Sequence, residues 1–248
     1  MELAQVLLDH PLRNYQTLLG CPRTGEAIAV DPLDGGVVLQ EARRRGWAIR
    51  AIVLTHHHWD HIGGVPEVVQ ATGAAVIAHR DAPIEGVTRR VGAQDRVAVG
   101  DLDLAVLDIP GHTMSHIGLL GHGHLISGDT LFVAGCGNCR HGGDPQALWT
   151  TFSTQLWRLP DDVVVVPGHD YAVNNLRFSL DREPGNGLAT QALARAQAGT
   201  FQSTISGERG YNPFFRTRSA EIRDRLQISA TGDDREVFLA LREARNHW

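Results

Sequence analysis

Thr55-His56-His57-His58-Trp59-Asp60-His61 is the stretch on which the reading of this chain turns. It holds the pattern His-x-His-x-Asp-His at His56, His58, Asp60 and His61. Histidine is a scarce residue with no tendency to form runs, and neutral imidazole is the commonest ligand for borderline metals. A tag-like tract would also bind metal. This one, however, lies inside the chain, directly after the apolar run Ala51-Ile52-Val53-Leu54 and ahead of a helix opening at Pro66. Four candidate ligands within six positions at the end of an apolar run point to a built metal site.

Working outward, Ala51-Ile52-Val53-Leu54 has no polar alternation, as expected of a strand covered on both faces. A strand over 27–30 ends at Asp31-Pro32, and a helix over 37–45 is closed by Gly46. A helix from Pro66 runs to about Gly73, and 75–78 is another strand. Residues 96–128 turn strand-rich, with runs at 97–99, 102–109, 117–120 and 125–127 punctuated by Gly and Pro. A helix over 144–157 and a buried strand over 163–166 follow. Beyond Tyr171 the strands stop, and 188–198, 218–226 and 233–245 are helical in pattern. The expectation is an α/β main domain with a mainly helical C-terminal piece, without internal repeats.

Further ligand candidates fall just past apolar runs and next to Gly or Pro. His112 stands in Gly-His-Thr-Met-Ser-His after 102–109, Asp129 follows 125–128, and His169 stands in Pro-Gly-His-Asp-Tyr after 163–166. Strand ends are where ligands collect in α/β architectures. Singly, each would read as a capping or surface residue; with the opening cluster they read as the rest of a metal site.

The whole-chain properties narrow the function. At 248 residues and 42% apolar content the chain is an ordinary globular protein, one large domain or a main domain with an appendage. No apolar run is long enough for a bilayer, and Met1-Glu2-Leu3-Ala4-Gln5 lacks a secretory start, so a cytoplasmic enzyme with no membrane partner is expected. The net charge is −5 and Arg43-Arg44-Arg45, at a helix end, is the sole basic block, which gives no footprint for nucleic acid. All 23 basic residues are Arg, so lysine Schiff-base chemistry is excluded. Anionic substrate groups must be met by Arg, His, backbone N–H groups or metal. Three cysteines make no disulfide framework, and the lone Cys136-x-x-Cys139 reads as reduced loop thiols.

The segments Thr-His-His-His-Trp-Asp-His-Ile-Gly-Gly at 55–64, Gly-Asp-Thr-Leu-Phe-Val-Ala-Gly-Cys-Gly at 128–137 and Pro-Gly-His-Asp-Tyr at 167–171 resemble those of metallo-β-lactamase-fold hydrolases, and more narrowly the glyoxalase II (hydroxyacylglutathione hydrolase) family. Asn174-Asn175-Leu176 and Tyr211-Asn212-Pro213-Phe214 extend the resemblance into the tail. It implies a four-layer αββα sandwich over 1–170 and a helical substrate-binding domain over 171–248. It further implies two divalent metal ions, zinc first, with iron or manganese also suited to nitrogen and oxygen donors. His56, His58 and His112 would hold one ion and Asp60, His61 and His169 the other, with Asp129 bridging at the roughly 3.5–4 Å of two-metal sites. A metal-bridging hydroxide would attack a thioester carbonyl, with Asp60 orienting it. The implied substrate is a small-molecule glutathione thioester, S-D-lactoylglutathione or a related 2-hydroxyacyl-glutathione, in the context of methylglyoxal detoxification. Tyr171 would contact glutathione and Arg216 its glycine carboxylate, with Arg218 beside it. The family's usual Lys and Tyr after Gly-Cys-Gly are replaced here by Asn138 and Arg140, which puts the thiol or acyl preference in doubt. A monomer or homodimer is expected.

Of the remaining histidines, alternation points His57 away from the ligands, and His116 either orients a ligand or is structural. Asp31 either braces a ligand histidine or serves a turn. His141 falls in the suspected substrate loop; His10, His79, His122, His124 and His247 read as surface or structural. The competing readings are another thioesterase or a lactonase of the same fold, and a mononuclear-iron persulfide dioxygenase. A nuclease is disfavoured by the acidic balance. A structural-metal binding module is disfavoured by seven candidate ligands without a cysteine.

Overall fold

The computed structural model describes residues 1–199 and 201–248. The chain divides into two compact units that interleave in sequence: Met1–Ile109 with Ser115–Gly128 and Gly168–Asp170, and Pro110–Met114 with Asp129–Pro167 and Tyr171–Trp248.

The first unit opens with β1 (Glu2–Leu7), β2 (Tyr15–Gly20) and β3 (Glu26–Val30), paired antiparallel in that order. Helix α1 (Gly35–Arg45) returns the chain to β4 (Ala48–Leu54), parallel to β3. The short α2 (Trp59–Ile62) and α3 (Val65–Thr72) lead to β5 (Ala75–His79) and β6 (Arg89–Val91), also parallel. Asp34 caps α1 by accepting from Val37 N, and Gly46 at φ 70 ends it, while Arg44 and Arg45 pair with Glu41 on its exposed side. Val38, Leu39 and Ala42 of α1 and Val68 of α3 pack on Leu18, Ala29, Ile52 and Leu54. Residues 51–54 are all buried, so the unbroken apolar run is a strand with both faces covered. An antiparallel meander follows: β7 (Arg96–Val99), β8 (Leu102–Asp108), β9 (Ile117–Gly121) and β10 (His124–Gly128).

The second unit carries the hairpin of β11 (Leu131–Phe132) and β12 (Gly135–Cys136), helix α4 (Pro145–Thr154) capped by Asp144, and β13 (Val164–Pro167). Helices α5 (Ala172–Arg182) and α6 (Gly187–Ala198) come next, then β14 (Ser203–Thr204), α7 (Ile205–Tyr211), α8 (Ala220–Leu226) and α9 (Asp234–Asn246). Glu208 of α7, fully buried, accepts from Ala134 N at 2.9 Å and Asn212 Nδ2 at 2.7 Å. It thereby pins the hairpin turn where Ala134 adopts a positive φ of 55.

Several elements differ from the sequence expectation. β1 and β2 have no strong period-2 signal, and β14, antiparallel to β13, shows that the strands do not stop at Tyr171. The helix expected over 144–157 breaks at Gln155 (φ −122) into a 3₁₀ turn at Leu156–Arg158. No helix among the described residues is long and apolar enough to cross a membrane.

Candidate functional site

In the first unit the segment after β4 carries His56, His58, Asp60 and His61, and the turn at 168–170 carries His169. His61 Nε2 and His169 Nε2 stand 3.1 Å apart, and Asp60 Oδ2 lies 3.6 and 3.5 Å from them. Donor atoms about 2.0–2.2 Å from a single ion in a tetrahedral array stand roughly 3.3–3.5 Å from one another. The Asp60, His61 and His169 trio therefore fits one divalent ion. His56 Nε2 and His58 Nδ1 are 3.0 Å apart, the spacing of two donors facing a common point. Asp31, His56 and His61 form a second buried group with donor atoms within 4.8 Å of one another.

The nitrogens that do not face these points are anchored. His169 Nδ1 donates to Leu12 O at 2.7 Å and His61 Nδ1 to Asp31 Oδ2 at 3.0 Å. His56 Nδ1 reaches Thr55 Oγ1 at 3.0 Å, and that hydroxyl donates to Asp31 Oδ2 at 2.6 Å. Such acceptors hold the proton on Nδ1 and leave the Nε2 lone pair for metal, the tautomer that ligation requires. Asp31 also accepts Thr55 N at 2.7 Å, so of its two sequence readings the structure selects the brace. Gly128, at φ 48, is required here, because a Cβ would stand 2.5 Å from Thr55 Oγ1 and 2.8 Å from His116.

His116 is buried, its ring stacked on His56 with centroids 4.9 Å apart. His57 belongs to no metal-capable group among the described residues, and burial, then neighbouring His58, lower its pKa below the ordinary value. Asn14, which the sequence reading passed over, donates Nδ2 to Asp60 O at 3.0 Å and Asp60 Oδ2 at 3.1 Å.

In the second unit His112 Nε2 lies 3.6 Å from Asp129 Oδ2, and His112 Nδ1 donates to Asn138 O at 2.7 Å. Gly137 permits this close approach, since a Cβ there would stand 2.0 Å from Asp129 O and 3.0 Å from His112 Nδ1. The same unit contains a cleft of about 270 Å³. Asn138, Arg140, His141 and Tyr171 line it, and Arg242 and Arg245 of α9 complete its cationic side. No carboxylate is among its lining residues.

Arg242 Nη1 donates to Cys136 O at 3.0 Å and Gly137 O at 3.1 Å, and its buried Nε has no partner among the described residues. The Arg245 guanidinium lies over the rings of Phe178 and Trp248. Arg140 donates to Asn246 O at 2.9 Å. Burial raises the thiol pKa of Cys136, and that of Cys139 to about 12, so neither is poised as a thiolate.

Arg216 and Arg218 require correction as carboxylate contacts. Both ends of the Arg216 fork donate to Glu183, each at 2.7 Å, and Ser219 and Asn186 complete that carboxylate's partners. Arg218 is exposed and pairs with Asp234 at 2.9 Å. Neither lines the cleft. A fork already bound by a buried glutamate has no free edge for a ligand carboxylate.

Comparison with known proteins identifies the family and the fold. Residues 13–169 match the family model of the metallo-β-lactamase superfamily, and 170–248 match that of the hydroxyacylglutathione hydrolase C-terminus. A hydroxyacylglutathione hydrolase from a Polaromonas species is 46% identical over all of both chains, and one from Nitrosococcus oceani is 43% identical, again over all of both. Among solved structures, ETHE1 from Myxococcus xanthus superposes with a TM-score of 0.72 at 25% identity, covering 99% of this chain and 98% of its own. The α/β sandwich with a helical C-terminal part is thus the fold, and the chain belongs to the hydroxyacylglutathione hydrolase family of the metallo-β-lactamase superfamily.

Proposed function

We propose that this chain is a thioester hydrolase that cleaves 2-hydroxyacyl-glutathiones, S-D-lactoylglutathione among them, into glutathione and a hydroxy acid. The observation that carries the reading is the Asp60, His61 and His169 trio, with donor separations of 3.1, 3.5 and 3.6 Å and both imidazoles anchored through Nδ1. Its residues would hold one ion; His56, His58 and His112 would hold a second, with Asp129 between them. All donors are nitrogen or oxygen, which suits zinc first and also iron or manganese. When bound, such ions supply Lewis acidity, polarising the thioester carbonyl and acidifying water near neutral pH.

The chain's own groups supply the rest. Asp60 would accept a hydrogen bond from the attacking hydroxide and so orient it, and Asp31 keeps His61 in place. The leaving thiolate needs no strong protein acid, because a free thiol has a pKa of about 8.5. Arg245 and Arg140 give the cleft the cationic forks that peptide carboxylates require, in place of Arg216, with the buried Arg242 adding charge behind them. Asn138 and Tyr171 stand beside them as hydrogen-bonding groups. The two family matches meet at 169/170, which supports a functional division at 170 into catalytic and substrate-binding parts. The net charge of −5 argues against a nucleic-acid partner, and a cytoplasmic setting suits the reaction.

The test is a hydrolysis panel of glutathione thioesters, other thioesters and lactones, with oxygen uptake followed on glutathione persulfide. Lactoylglutathione should be turned over fastest, without oxygen consumption. An inert lactoylglutathione beside a rapidly hydrolysed lactone, or oxygen uptake on the persulfide, would refute the reading.

A further inference from the structure

Asn14 lies far in sequence from every ligand, yet it meets two of them. Its backbone forms an antiparallel bridge with His169. The flanking bonds zip the segments together: Tyr15 N donates to Gly168 O at 2.8 Å, and Asp170 N to Arg13 O at 3.0 Å. Arg13, at φ 54, adds a bond from Nε to Asp170 O at 3.0 Å and an ion pair with the Asp170 carboxylate.

The Asn14 side chain is only 1% exposed, and its Nδ2 donates to both the backbone oxygen and Oδ2 of Asp60. Two acceptors on that side fix which end of the amide is the nitrogen. Oδ2 is the same oxygen that faces the imidazoles of His61 and His169. Asn14 Oδ1, in contrast, is buried without a hydrogen-bond partner among the described residues. An unpaired buried acceptor destabilises a fold, and an apolar side chain of similar size would avoid that cost. The amide is therefore explained by what its N–H group holds rather than by packing.

We propose that Asn14 is a positioning residue for the ion of the Asp60, His61 and His169 trio: its amide fixes the Asp60 carboxylate while its backbone fixes His169. The inference rests on the two-ion reading above and concerns one of the two positions. It gives the N-terminal loop a share in setting that ion's affinity.

Stepwise zinc titration of the chelator-stripped full chain against a competing chelator tests it, with thermal unfolding of the metal-free protein measured alongside. The wild-type chain should take two ions. Asn14→Ala should weaken one of them roughly 10- to 100-fold, the usual effect of losing a group that orients a ligand, and leave the other unchanged. Metal-free Tm should fall only slightly, because removing the unpaired acceptor partly offsets the two hydrogen bonds that Asp60 loses. Asn14→Leu refills the volume without a donor and should repeat the loss, which separates the lost hydrogen bonds from a cavity. A folded variant that binds both ions with wild-type affinities would overturn the proposal. Equal weakening of both ions would also overturn it, since that is the signature of a merely structural residue. A wild-type chain that takes one ion only would refute the two-ion reading itself, before any variant is made.

Discussion

Asp31 Oδ2 stands 3.0 Å from His61 Nδ1, and the same oxygen accepts the Thr55 hydroxyl that in turn meets His56 Nδ1. One carboxylate thus orients two histidines, His61 directly and His56 through Thr55. Asp31→Ala should lower metal affinity about 10- to 100-fold. The native φ of 48 also strains alanine by roughly 1–2 kcal/mol, whereas Asn tolerates that conformation and keeps one acceptor. Metal retained after dialysis against graded chelator should fall in the order wild type, Asp31→Asn, Asp31→Ala; equal retention in all three would remove the brace.

Arg245 and Arg216 separate substrate binding from structure. A charge-assisted hydrogen bond contributes about 1.5–3 kcal/mol, so Arg245→Ala should raise KM for a glutathione thioester roughly tenfold or more, with kcat little changed. Arg216→Ala should instead leave Glu183 buried without its cation and cost about 1–3 kcal/mol of stability, with KM near wild type. Steady-state kinetics and thermal unfolding of the two variants check this, and the reverse pattern would return Arg216 to the substrate site.

Glu208 ties stability to pH. Burial first of all raises its pKa to about 7, against the partial opposition of hydrogen bonds from Ser203, Asn212 and Ala134 N. Its folded value lies above the unfolded one near 4.5, so the folded state binds the extra proton between the two. Its stabilising contribution is therefore complete below about pH 4.5 and is lost as pH rises through about 7. Glu208→Gln mimics the protonated acid and should abolish that loss, which is on the order of 3 kcal/mol at most. Denaturant unfolding of both proteins at several pH values reads it out; parallel profiles would mean that Glu208 does not titrate in this window.

The paired thiols should be dispensable. Burial keeps Cys136 and Cys139 protonated at neutral pH, and Cys139 is only partly accessible. Cys136→Ser with Cys139→Ser should keep kcat within about threefold, a loss smaller than 1 kcal/mol at the barrier. Alkylation at pH 7.5, well below the thiol pKa values, should be slow at both. Rapid alkylation accompanied by inactivation would assign them a role in the reaction.

What the sequence made legible was the part of the site built from local or strand-end placement. His56, His58, Asp60 and His61 share one segment, and His112, Asp129 and His169 each follow an apolar run, so a linear reading can propose them as ligands. Asn14 was invisible because only the pairing of 12–15 with 168–170 brings it to Asp60. Arg242 and Arg245 fall within the helical pattern at 233–245 with nothing local to distinguish them from solvated charges. Their i, i+3 spacing ahead of Asn246 was the one available signal, and it becomes specific only when α9 is seen to line the cleft. Arg216 misled for the opposite reason, as its partner Glu183 lies 33 residues away and nothing local marks the pair.

Two-ion hydrolysis of a glutathione thioester is at bottom a statement about metal stoichiometry. Its most direct test is to add metal in steps to the chelator-stripped chain while counting bound ions and timing glutathione release from S-D-lactoylglutathione in the same sample. Release should be negligible without metal and should rise to its maximum as occupancy reaches two ions per chain. Full activity at one ion per chain, or release that survives complete removal of metal, would contradict it.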